Sequence, residues 1–241
     1  MKKLKLFSLI LTLSIIMTSS EISLAQDLKG NGIVEKETRS LSSFNEIEIN
    51  SVLNVFLKQS DNESVTVESD KNLIPYIKTY VKDGRLIIDV KDKFKLKSST
   101  KLNVYVSLKN LTNLINNSVG NVKSENRLNL SSLNIMNNSV GNLELDLSCN
   151  SLNAELNSVG DVTFRGNANN ANIQNNGVGN LKAGDMTAEV LLIENNSVGN
   201  STVSASRELY IESNGVGNVL YSGNAELKKS ESNGVGKIKK M

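Results

Sequence analysis

The chain has 241 residues, 27 basic and 25 acidic side chains, no histidine, no tryptophan, one proline and one cysteine. That length suits one ordinary domain or two small ones. The missing histidine excludes Ser-His-Asp and Cys-His catalysis and imidazole-bound zinc, and the lone Cys149 excludes an intramolecular disulfide.

The chain opens with Lys2, Lys3 and Lys5, then a mainly apolar run from Leu6 to Met17 and the small residues of Ser23-Leu24-Ala25. This is the pattern of an export signal over residues 1–25, with Gln26 as the expected mature N-terminus. The run is too short for a membrane span, and no cysteine directly follows it to carry a lipid. From Gln26 onward basic and acidic residues balance at 24 each. With no basic patch interleaved with aromatics, no nucleic-acid partner is expected. Cys149 reads as a buried, inert thiol.

After a lead-in over 26–40, residues 41–110 read as a β-rich segment. "FNEIEIN", "VLNVFLKQ", "SVTVES", "RLIIDVK" and "KLNVYVSL" alternate or run apolar at strand length. "KNLIPY" suggests a single helical turn and Asp83-Gly84 a hairpin turn. Asn50-Ser51-Val52-Leu53-Asn54 resembles the corner that repeats beyond residue 110, with Leu53 in place of its glycine. The segment is therefore expected to be a wider first part of the same β architecture that covers the open N-terminal end of the repeat region, the alternative being a separate small β domain.

Residues 111–241 repeat. Val119, Val140, Val159, Val178, Val198, Val216 and Val235 are each followed by glycine and preceded, two positions earlier, by asparagine. The spacings are 21, 19, 19, 20, 18 and 19 residues. Of 35 asparagines, 28 lie from Asn110 onward, which marks the boundary. Counting from the valine, apolar columns stand at −7, −5, +3 and +5, as in Leu152, Ala154, Val162 and Phe164. Alternation by two is a strand signature. Because −5 and the valine differ in parity, the chain is expected to bend at Asn-Ser/Gly-Val-Gly-Asn with the valine pointing inward. Seven coils of about 19 residues, paired in parallel, make an all-β solenoid, a parallel β-helix. Lys228 and Ser230 at inward positions of the last coil, with Lys237, Lys239 and Lys240, should discourage further strand addition.

The run "SFNEIEINSVLNVFLKQSDNESVTVESDKNLIPYIKTYVKDGRLIIDVK" followed by repeated corners resembles the bacterial head GIN domain family, whose members are described as autotransporter-adhesin-like. The resemblance covers roughly residues 30–241. It implies an exported, right-handed parallel β-helix with no assigned enzymatic activity. The family's corner usually has glycine on both sides of its middle residue, whereas Ser118, Ser139, Ser158 and Ser197 stand at the first of these places here.

No cofactor is expected. The "GVG" corners do not open a helix as a phosphate loop would, and a calcium β-roll needs aspartates where only Asp161 occurs. The candidate contact surface lies in two outward columns. At −6 stand Asn113, Asn134, Asn153 and Asn172, and at −4 stand Glu155, Gln174, Glu194, Glu212 and Glu231. The asparagines can ladder along the stack or offer amides to a glycan. The carboxylates, about 4.8 Å apart in register, call for screening lysines or a weakly held divalent cation. The expected function is non-enzymatic, adhesin-like contact with a glycan or an envelope or matrix component, in the periplasm, on the cell surface or outside the cell. The alternatives are a purely structural envelope component and a carbohydrate-active β-helix enzyme. Few aromatics and short, uniform corners count against the enzyme.

Overall fold

The β-branched and leucine-rich columns form strands that stack rather than hairpins, because each apolar side needs the next coil to cover it. The structure, a computed structural model, describes residues 26–91 and 94–241; the expected export signal lies outside these residues. The first strands are β1 (Gln26–Lys29), β2 (Val34–Arg39), β3 (Glu46–Asn50), β4 (Asn54–Gln59) and β5 (Ser64–Asp70). A 3-10 turn at Ile74–Tyr76, where "KNLIPY" predicts it, leads to β6 (Ile77–Lys82), β7 (Arg85–Val90), β8 (Phe94–Ser98) and β9 (Leu102–Leu108). Then come β10 (Asn113–Asn116), β11 (Val122–Ser124), β12 (Leu128–Asn137), β13 (Leu143–Leu156), β14 (Val162–Asn175), β15 (Leu181–Asn195) and β16 (Ser201–Ser213). The last three are β17 (Val219–Ser222), β18 (Glu226–Ser232) and β19 (Ile238–Lys240). There is no α-helix among the described residues.

From β10 to β19 every strand pairs in parallel with the equivalent strand one coil away, as in Leu152↔Ala171↔Leu191↔Leu209. The solenoid reading of the repeat therefore holds. Its base is built out of chain order. β3 and β4 lie directly beneath β10 and β11, and β7 and β9 lie beneath β3 and β4, all in parallel. Asn50-Ser51-Val52-Leu53-Asn54 thus sits under the first repeat corner as an eighth corner: Val119 N donates to Ser51 O at 3.0 Å and Asn117 N to Ile49 O at 2.8 Å.

Antiparallel strands close this end. β6 covers β7 around the Asp83-Gly84 turn, both residues at positive φ (51° and 77°), while β5 pairs with β9 and β2 with β5. A buried carboxylate fastens the cap. Asp70 accepts from Gly32 N at 2.6 Å and Thr100 N at 2.7 Å, and from the Thr100 hydroxyl. Beside it, burial pushes Glu68 upward, but bonds from Tyr105, Asn103 and Lys101 outweigh it and bring its pKa down to about 2.

The corner corrects one expectation. The valines point outward: Val119, Val140, Val159, Val178, Val198 and Val216 are 51–58% exposed and Val235 is 72% exposed. The inward row does not slip parity but continues through −3 and −1, where Asn116, Ser118, Asn137, Ser139, Asn195 and Ser197 are buried. Polar residues can sit there because they bond to one another. Asn116 Nδ2 donates to Asn137 Oδ1 at 2.7 Å, and the Ser197 and Ser201 hydroxyls donate to Asn195 Oδ1 at 2.9 and 2.7 Å. Ser201, a lapse in the apolar +3 column, is therefore the partner of an internal asparagine. Where Leu156 interrupts the inner asparagines, Asn137 Nδ2 is left buried without a partner, as is Asn195 Nδ2 opposite Ser213.

Glycine after the valine is required by stacking. A Cβ on Gly141 would lie 2.2 Å from Gly120 O, and Gly217 additionally has φ +138°. The bottom corner can carry Leu53, fully buried, because Asn50 and Asn54 pair with Asp89 and Asn103, so the register beneath residues 51–53 is not that of another tight corner.

Candidate functional site

Two further columns fix the corner from outside. At −2, Asn138 Nδ2 donates to Asn117 Oδ1 at 2.8 Å, and the bonds run unbroken from Asn50 up to Asn233. At +2 the side-chain oxygen instead accepts from the backbone N–H of the coil above: Asp161 N donates to Asn142 Oδ1 at 3.0 Å and Asn180 N to Asp161 Oδ1 at 2.9 Å. Only an oxygen is needed there, so aspartate serves as well as asparagine. Lys237, with no coil above it, merely donates its backbone N–H to Asn218.

The candidate face lies beside the −2 ladder. Its first column runs in register through Asn113, Asn134, Asn153, Asn172, Leu192, Tyr210 and Lys229. Asn113 donates to Glu46, Asn134 to Asn113 and Asn153 to Asn134, at 2.9, 3.1 and 3.1 Å. Asn172 continues the column without extending the run of bonds. The second column brings Glu155, Gln174, Glu194, Glu212 and Glu231 together in register. Glu155, Glu194 and Glu212 each accept from the ladder asparagine two residues on. At the C-terminal end a lysine screens the carboxylates: Lys229 Nζ lies 2.8 Å from Glu212 and 3.1 Å from Glu231. Its bond, with help from Asn214, lowers the Glu212 pKa, and the two carboxylates raise that of Lys229.

Two open hollows adjoin along this face. One of 260 Å³ is lined by Asn134, Asn153, Glu155, Asn172 and Gln174. The other, of 220 Å³, is lined by Asn172, Leu192, Glu194, Tyr210, Glu212 and Lys229. They share Asn172, so the surface is a shallow track: amides first, then an apolar and aromatic step edged by charge. No group of three or more aspartate, glutamate or cysteine side chains suited to a metal occurs among the described residues.

Sequence reasoning missed a second groove, on the wall beyond the corner. It encloses 590 Å³ between Glu144, Arg165, Lys182, Asp185 and Thr202. Its signal was the 20-residue spacing from Val178 to Val198. The surplus bulges out between Ala183 and Thr187, where the register shifts.

The family model described as "Putative auto-transporter adhesin, head GIN domain" matches residues 43–225. The chain belongs to this family. Among solved structures, a putative adhesin from Bacteroides fragilis is 28% identical, with a TM-score of 0.85 over 89% of this chain and 100% of that one. A putative lipid binding protein and a putative adhesin, both from Parabacteroides distasonis, are 24% and 23% identical, with TM-scores of 0.69 and 0.68. Each covers 90% of this chain and 100% of its own, and these two show the shared fold alone. No curated protein matches the chain.

Proposed function

We propose that this head GIN domain protein is an exported, non-enzymatic binding module that contacts a polysaccharide at or outside the cell envelope. Membership of an adhesin-described family supports the class. The observation that carries the proposal is the pair of in-line hollows meeting at Asn172. Regularly spaced amides and carboxylates match the hydroxyls of a repeating chain, and the Leu192–Tyr210 step gives the apolar face of a sugar ring something to lie against. A shallow, open track suits grip along a polymer better than enclosure of one residue.

A glycan array probed with the chain from Gln26, with reducing ends assayed on the same samples, tests this. Binding without release of reducing ends is expected, and it should be lost in Asn172→Ala/Tyr210→Ala. Binding that survives this double change refutes the placement, and release of reducing ends refutes the non-enzymatic reading. The saturation of Asn113, Asn134 and Asn153 by their own ladder favours a second reading, a purely structural envelope component. That reading predicts neither binding nor turnover.

A further inference from the structure

The outward valines form a row that the corner geometry does not explain. Val52, Val119, Val140, Val159, Val178, Val198, Val216 and Val235 stand one above another, and from Val119 upward each donates a backbone bond to the corner below. Stacking shields part of each: Val235, with no coil above, is 72% exposed, against 51–58% for the six repeat valines below it. What stays open amounts to roughly 600 Å² of apolar surface in one line, the size at which patches on soluble proteins mark contact sites. These eight supply most of the exposed large hydrophobic side chains among the described residues.

We infer that this ridge is a self-association surface on which a second copy of the chain packs in antiparallel sense. Three observations choose that occupant. The first is area. A standard interface takes about 800 Å² from each partner, and the valines with the inner edges of the flanking asparagine columns come to that order.

The second is charge. The −2 column is asparagine throughout, and the +2 column from Asn54 up departs from asparagine only at Asp161 and Lys237. In an antiparallel pair centred between Val159 and Val178, Asp161 faces Asn180 and Lys237 faces Asn54, so no like charges meet. Covering these columns leaves the −2 amides bonded to one another and the +2 oxygens bonded to backbone N–H groups, while the Nδ2 groups of Asn121, Asn142 and Asn200 are left to bond across to the facing +2 asparagines of the other copy.

The third is shape at the ends. Val52 also lines an apolar hollow of 120 Å³ with Leu28, Leu73, Tyr76, Leu96 and Leu102. The antiparallel pairing sets the most exposed valine, Val235, of one copy against Val52 of the other, at the lip of that hollow. A two-fold axis repeats the contact at both ends, which closes the assembly at two copies.

Sedimentation equilibrium of the chain from Gln26 across a wide concentration range tests the inference. The mass is expected to move from monomer to dimer as concentration rises. Val159→Asn/Val178→Asn changes only exposed positions; it should raise the dissociation constant at least tenfold while leaving the melting temperature unchanged. Leu192→Asn, an exposed apolar residue on another face, should change neither. A monomer at every concentration, or a dimer indifferent to the double change, overturns the proposal. Orientation is read by oxidising a mixture of Val140→Cys and Val198→Cys chains. Mixed cross-links are expected, and homodimeric cross-links would overturn the antiparallel placement.

Discussion

Gly141→Ala tests the corner most directly, with Gly184→Ala as its internal control. A Cβ at position 141 would lie 2.2 Å from Gly120 O, 2.6 Å from Gly120 C and 2.7 Å from Val119 O, all backbone atoms and all inside the 3.0 Å that real Cβ contacts respect. Relief needs the two coils to separate by most of an ångström. That would stretch the bonds from Val140 N to Ser118 O and from Val122 N to Asn142 O, now 3.0 and 2.9 Å. Losing two such bonds costs about 1 kcal/mol each, and leaving their groups unpaired costs more, so a loss of about 3–5 kcal/mol is expected. At Gly184 the nearest atoms, Thr202 Cβ and Oγ1, are 3.6 Å away. With room for the methyl, alanine there should be neutral or gain about 0.4–1 kcal/mol by restricting the unfolded chain. Urea unfolding followed by far-ultraviolet circular dichroism reads both. Equal midpoints for the two variants would show that coil stacking does not depend on glycine at the corner.

Three further outcomes rest on the same geometry. Asn142→Ala removes the acceptor of Asp161 N and should cost about 1–2 kcal/mol, whereas Lys237→Ala, whose side chain supports no coil, should cost nothing measurable by the same denaturation assay. Glu68, held at a pKa of about 2 in the fold against an ordinary 4.5, contributes stability that is fully present above pH 4.5 and is lost as pH falls toward 2. The melting temperature of Glu68→Gln should therefore depend less on pH across that window than that of the unaltered chain. The Asn-Gly pairs at Asn176, Asn214 and Asn233 are held by the −2 ladder, and the amides of Gly215 and Gly234, the groups that would attack, are themselves bonded at 3.1 Å. Mass spectrometry should find them deamidating more slowly in the folded chain than in peptides of the same sequence.

The period, the strand columns and the parallel stacking were legible because apolar alternation survives in every coil but the last. Of the base, the corner copy Asn50-Ser51-Val52-Leu53-Asn54 was legible, but its strand order was not, since β3 and β4 meet β10 and β11 across 67 residues and β7 and β9 lie beneath β3 and β4. The valine was misplaced for a chemical reason. Hydrophobicity alone argued for burying it, and the polar side chains of Asn116, Ser118 and their equivalents carry no hydrophobic signal of an inward position. Their mutual bonds let them lie inward, and −7, −5, −3, −1, +3 and +5 then share one parity with no slip. At the candidate face the columns could be read from sequence. The hollows at Asn172 and the seat of Lys229 between Glu212 and Glu231 depend on side-chain paths that only the structure shows.

Outward columns differ in how far they vary, and the difference bears on the valine ridge. At −6 the residues run from asparagine to leucine, tyrosine and lysine, and at +4 from Lys123 through Glu144, Thr163 and Thr202 to Leu220. Positions facing water have thus been free to diverge between coils. The −2, −1, +1 and +2 positions vary little for stated causes: a side-chain ladder, a tight interior, a carbonyl beneath, and a backbone N–H above. The middle position has no such cause, since its side chain faces solvent and serine or threonine would suit the backbone as well. Copying of one ancestral unit would leave it as free to drift as −6 or +4. It is valine in all eight corners nonetheless, at a place where exposure works against solubility. A demand from outside the single chain accounts for that uniformity, and packing of ridge on ridge supplies one.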